Sequence, residues 1–107
     1  MKTYRIGNIE VLSTNLVDLD WESCESQMKE IGEGWRFPTP KEMGYMIDLY
    51  EIGVFNLNQE TIYWVIDPER ELVYQRYAHV LEFHNNGIDV GTMDKEVRAI
   101  VRPVRDI

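Results

Sequence analysis

With 107 residues and 11 basic against 19 acidic side chains, the chain has a formal net charge of −8 and a length that suits one domain, residues 1–107. Three Trp, six Tyr and three Phe exclude an intrinsically disordered chain, which lacks large apolar groups. The charge speaks against nucleic acid, whose phosphates need clustered Lys and Arg, and against an anionic membrane surface; the lone Cys24 excludes an intrachain disulfide.

Residues 3–13 mix Tyr4, Ile6, Ile9, Val11 and Leu12 around Gly7-Asn8, which predicts one or two short strands. A first helix is expected over residues 20–32. Asp18 or Asp20 can cap it, Trp21, Cys24, Met28 and Ile31 recur at helical spacing, and Gly32 and Gly34 suit a left-handed end. The second helix, residues 40–52, has the clearest start. Thr39 stands at the N-cap, Pro40 at the first helical position and Glu42 completes a capping box. Met43, Met46, Ile47 and Tyr50 share one apolar face, and Gly53 closes the helix.

From residue 61 the period becomes two. Strands are expected at 61–66, 72–76, 78–84, 88–93 and 97–104, with Asp67-Pro68 breaking the first and Asn86-Gly87 forming a hairpin turn. Helices ahead of strands, without βαβ alternation, predict an α+β fold with an antiparallel sheet. The opening residues contain no apolar stretch of signal-peptide length and no later run could span a bilayer, so a cytoplasmic protein is expected.

Three pieces in this order resemble the motifs of one family. They are Gly34-Trp35-Arg36-Phe37-Pro38-Thr39 with Glu42, Tyr63-Trp64, and Val101-Arg102-Pro103-Val104-Arg105-Asp106. Over roughly residues 20–106 they are similar to the GWRLPT..EL, YW and VRPVRD motifs of a bacterial domain of mostly unknown function. That family is best known as the C-terminal domain of a collagen-like adhesin and is related to the fibrobacter-type paralogous domain. The resemblance implies a C-type lectin-like fold: two helices packed on short antiparallel strands, with paired N- and C-terminal strands and a long-loop region at residues 65–79. The chain has no stalk or collagen-like repeat, so the bare domain is expected. Such a fold carries many unrelated sites and specifies no function.

Physical reading of the same residues is structural. Trp35 and Phe37 flank Arg36 in an extended segment, so both rings can face inward while the guanidinium faces away. Arg102 and Arg105 are expected to pair with acidic residues of the first helix.

The search for chemistry yields no catalytic residue, metal site or cofactor. Calcium-dependent sugar binding, by resemblance to true C-type lectins, needs a Glu-Pro-Asn or Gln-Pro-Asp loop. Asp67-Pro68-Glu69 has no such amide and reads as a solvated turn. The related formylglycine-generating enzymes need a cysteine pair, whereas Cys24 is alone on an apolar helix face. His79 and His84 lie an odd number of residues apart on one strand, on opposite faces, each partly exposed. The carboxylates Glu22, Glu25 and Glu30 read as a wet face. What remains is an aromatic and charged group, Tyr74, Arg76, Tyr77 and His79, suited to contacts with a protein or a glycan. The leading expectation is a non-catalytic binding module; the alternatives are a structural or accessory protein of a phage or mobile element and, third, an enzyme.

Overall fold

Strand β5 (Thr61–Trp64) points Tyr63 and Trp64 to opposite sides, and both are fully buried. A strand buried on both faces must be covered on both. The same alternation runs through β6 (Tyr77–His84), where Leu81 and Phe83 join one core and Ala78 and Val80 the other. It recurs in β8 (Ala99–Val101), with Ile100 on the first side and Ala99 and Val101 on the second. Two helices provide the covers. Met43, Met46 and Ile47 of α2 (Pro40–Glu51) enter the first core, and Cys24 and Met28 of α1 (Trp21–Ile31) enter the second.

The computed structural model describes residues 2–58, 61–70, 72, 74–84 and 87–107. Within these, β1 (Thr3–Ile6), β2 (Ile9–Leu12), β9 (Val104–Asp106) and β4 (Trp35–Arg36) form a four-stranded sheet in that order. The five-stranded sheet runs β3 (Leu16–Leu19), β8, β5, β6 and β7 (Gly87–Asp94). Pairing is antiparallel throughout except between β5 and β8, where Tyr63 lies opposite Ile100. The fold is therefore α+β, with a C-terminal strand seated between β2 of the N-terminal hairpin and β4.

Local signals explain both helix starts. Asp20 caps α1 by accepting the Ser23 N–H at 2.8 Å, and Thr39 and Glu42 close the capping box of α2. Asp18 is not the cap: it sits at φ +57° in β3, where the pairing with β8 shifts register. Gly32 ends α1 at φ +155° and ψ 176°, so the expected left-handed helical turn gives way to an extended exit. Two further expectations are corrected. Residues 97–104 do not form one strand, because Arg102-Pro103 turns the chain from the larger sheet into the smaller; proline lacks the N–H a continuous ladder needs. No strand lies at 72–76 among the described residues, where Gln75 and Arg76 form a turn; Glu71 and Val73 lie outside them. The β6–β7 hairpin closes at His84 opposite Gly87, whereas Asn86 lies outside the described residues.

Arg36 fastens the parts together. Its fork meets Glu42 of α2 through two 2.8 Å hydrogen bonds and Asp106 of β9 through one of 2.9 Å, while Trp35 and Phe37 are buried on either side. Arg105 pairs with Glu10 of β2 rather than with α1, because β9 lies beside β2. Arg102 meets Asn15 and Asn56 and has no acidic partner among the described residues. Gly34, at φ +85°, leaves room for the Arg105 stem, 3.4 Å from where a Cβ would sit.

These pairs tie stability to acid. Partial burial works to raise the Glu42 carboxyl, but the Arg36 fork and the Thr39 N–H outweigh it and hold it below its ordinary value. Arg36 likewise lowers Asp106, and hydrogen bonds from Arg105 and Thr3 lower Glu10. A carboxyl lowered on folding stabilises the native state above its unfolded value and loses that contribution as pH falls through the folded one. The urea midpoint of Glu42→Gln should therefore lie below that of the unsubstituted chain near neutral pH. The gap is expected to close below about pH 4, as the wild-type carboxyl protonates. A gap that stayed constant on acidification would remove Glu42 from the acid response.

Candidate polar and aromatic cleft

The connection from β5 to β6 begins buried. Val65 continues the core, the Ile66 N–H donates to the Pro38 carbonyl at 2.9 Å, and Asp67 is buried as it accepts the Glu69 N–H. Asp67-Pro68-Glu69 is thus a turn with one inward carboxylate, not a fully solvated one. Glu69 and Arg70 open onto a cleft beside the start of α2, lined also by Thr39 and Lys41. The candidate segment is therefore divided, its first half bordering one cleft and its second half another.

The second half gathers three of the four predicted residues. Tyr74 is 64% exposed and meets Tyr77 edge to face, ring centroids 6.1 Å apart. The Arg76 guanidinium lies 5.3 Å from the Tyr77 ring centre and donates to Asp94 of β7 at 2.7 Å. The Glu96 N–H and then Arg76 hold the Asp94 carboxyl below its ordinary value, so the pair is charged at neutral pH. Around it lies a polar cleft of about 640 Å³, bordered by Glu22, Gln75, Arg76, Asp94, Lys95 and Glu96.

Lys95 connects this cleft to α1. Its backbone N–H donates to the Arg76 carbonyl and its carbonyl accepts the Trp21 N–H, at 2.8 and 3.0 Å. The Lys95 ammonium then rests 4.1 Å from the Trp21 ring centre, a cation–π contact. Trp21 in turn stacks on Phe37 at 5.4 Å between centroids.

His79 departs from expectation. It is 6% exposed rather than partly exposed, since Val65, Ile66 and Leu72 of the β5–β6 connection, with Trp21, Phe37 and Lys95, close around this end of β6. It does not join Tyr74, Arg76 and Tyr77 but lines a small separate pocket with Trp21 and with Lys95, which also borders the polar cleft. His84 is half-buried and faces Asp89 at 3.0 Å. Sequence reasoning missed Trp21, Asp94 and Lys95 as site residues. They reach the cleft through strand pairing and the start of α1, which no local pattern encodes.

Cys24 is fully buried, and burial followed by the nearby Asp20 charge pushes its thiol up to about 12. It packs in the core as a small apolar group. Cys24→Ala should cost about 1 kcal/mol in urea unfolding, and the native thiol should resist a neutral-pH thiol reagent until the chain unfolds. Rapid native labelling would show the opposite. Among the described residues no three His, Cys, Asp or Glu side chains gather as a metal-binding set, and no helix is long and apolar enough to cross a membrane. No protein-family model matches the chain, and no curated protein matches it.

Proposed function

We propose that the chain is a non-catalytic binding module that recognises a protein or glycan surface through Tyr74, Arg76 and Tyr77, with the C-type lectin-like kinship that its motifs suggest. The observation that carries this reading is the exposed Tyr74 edge-on to a half-buried Tyr77, with Arg76 against the Tyr77 ring and ion-paired to Asp94 at the border of a polar cleft. Tyrosine offers contact area at low conformational cost, and an arginine already fixed by a carboxylate and a ring loses little freedom on binding. The cleft carries both charge signs, which suits hydrogen bonding to a peptide or to sugar hydroxyls. Paired terminal strands and two helices over short strands support the kinship.

The test compares the unsubstituted chain with Tyr74→Ala/Arg76→Ala as baits in a quantitative pull-down and on a glycan array. Both side chains are exposed, so the variant should melt within about 1–2 °C of the parent. A partner or glycan held by the parent should bind the variant at least about tenfold more weakly. Retained binding by the folded variant would move the recognition surface elsewhere.

A further inference from the structure

The pocket beside the cleft joins features that sheet packing does not require together. It has a volume of about 160 Å³ and is bordered by Trp21, Phe37, Val65, Ala78, His79 and Lys95. That volume fits one six-membered ring, since an apolar cavity of roughly 150 Å³ accommodates benzene. The walls are mostly apolar: the stacked Trp21 and Phe37 with Val65, Ala78 and the exposed Ile66 and Leu72. Two polar groups break them. His79 is 6% exposed, and its ring makes no hydrogen bond or ion pair with any described residue. The Lys95 ammonium, over Trp21, makes no ion pair among the described residues although three carboxylates border the adjoining cleft. The imidazole nitrogens are not sealed off, as Trp35 Nε1 and Arg102 Nη1 are, so they stay within reach of water or of a ligand group in the pocket.

We infer that this pocket takes a single phenol ring, presented as the tyrosine side chain of a protein partner, with the ring against the Trp21–Phe37 wall and the hydroxyl hydrogen-bonded to His79 and Lys95. This rests on the recognition reading above and names the anchor it would use. A hydroxyl oxygen can accept from the ammonium while its proton goes to an imidazole nitrogen, so one group answers both. A plain phenyl ring would leave both unanswered. An aromatic carboxylate would approach Glu22, Asp94 and Glu96 at the adjoining cleft, in a chain of net charge −8. The pocket adjoins the polar cleft, which Arg76 borders, through Lys95, a residue of both, so a polypeptide lying in that cleft can drop one side chain into the pocket.

The experiment titrates the full chain with p-cresol, toluene, N-acetyl-tyrosinamide and N-acetyl-phenylalaninamide, following the Trp21 indole and His79 ring resonances by NMR. The p-cresol should shift both saturably, with a dissociation constant on the order of 1 mM, as befits so small a ligand. Toluene should bind about fivefold more weakly, one hydrogen bond's worth, and the tyrosine amide should outbind the phenylalanine amide by a similar factor. His79→Phe should abolish the preference for p-cresol over toluene. Should that variant fail to fold, Lys95→Met at the rim should reduce it, while the four wild-type titrations stand alone. Shifts without saturation, equal binding of p-cresol and toluene, or shifts at Tyr74 and Tyr77 only would overturn the inference. Binding of p-cresol but not of the tyrosine amide would overturn the protein partner and leave a free phenol. The two proposals separate cleanly. Loss of a partner by Tyr74→Ala/Arg76→Ala without phenol binding sinks only the pocket; phenol binding with an unaffected partner sinks only the surface.

Discussion

Trp64→Ala should remove about 3–5 kcal/mol, a large share of the roughly 5–15 kcal/mol that holds a domain of this kind together. Trp64 is fully buried in the α1-side core, and its indole N–H donates to the Leu19 carbonyl at 3.2 Å. Truncation leaves a cavity in the centre of the five-stranded sheet and strips the Leu19 carbonyl of its donor. A urea titration followed by far-UV circular dichroism reads the effect as a midpoint shift. Trp64→Phe keeps much of the ring and should recover more than half of the loss. A cost below about 1 kcal/mol for the alanine variant would contradict a buried indole.

Arg102 carries the second large effect, and its sign depends on the replacement. The side chain is 2% exposed; Nε donates to Asn15 and Nη2 to Asn56, each at 2.8 Å, while the guanidinium lies 4.8 Å from the Phe55 ring centre. Nη1 has no partner among the described residues, and burial lowers the pKa of the group. A cation desolvated without a carboxylate is expensive, so its role is geometric: it ties the residues after β2 to the loop after α2. Lysine cannot bridge Asn15 and Asn56 at once with the planar fork that also lies over the Phe55 ring. Arg102→Lys should cost about 2–4 kcal/mol by urea unfolding. Arg102→Met keeps the stem and sheds the buried charge, and is expected to lose about 1 kcal/mol less than lysine does. The reverse order would mean that the charge itself stabilises the fold.

The elements that could be read from the residues alone are those whose determinants are local. Thr39, Pro40 and Glu42 specify the start of α2 within four positions, and α1 begins at an aspartate that reaches three residues ahead. The strand carrying Tyr63 and Trp64 was legible from a short run of β-formers ended by Asp67-Pro68. What escaped the reading depends on partners far along the chain. Arg105 meets Glu10 across a separation of 95 residues, and strand pairing alone decides that it is not a residue of α1. β3 was hidden by Asp18, a poor strand former whose positive φ the shifted register accommodates. In the site, Tyr74, Arg76 and Tyr77 were visible as residue types suited to recognition. Their setting was not, because Asp94 joins Arg76 only through the β6–β7 hairpin and its approach, and Lys95 reaches Trp21 through the same pairing. His79 was misjudged for one reason: alternation predicts a wet face only where nothing covers the sheet.

The turn at Arg102-Pro103 has a consequence for how the molecule comes into being. Because it passes β8 into the larger sheet and β9 into the smaller, each sheet takes an interior strand from the last residues described, 99–106. On a ribosome, helices α1 and α2 and the β6–β7 hairpin can form as they emerge, but neither sheet can close until this stretch has cleared the exit tunnel. Until then β2 and β4 have no shared neighbour and β3 has no strand to lie on. While residues 1–98 are being made the nascent chain therefore holds open strand edges, the condition in which a chain is most exposed to wrong pairing.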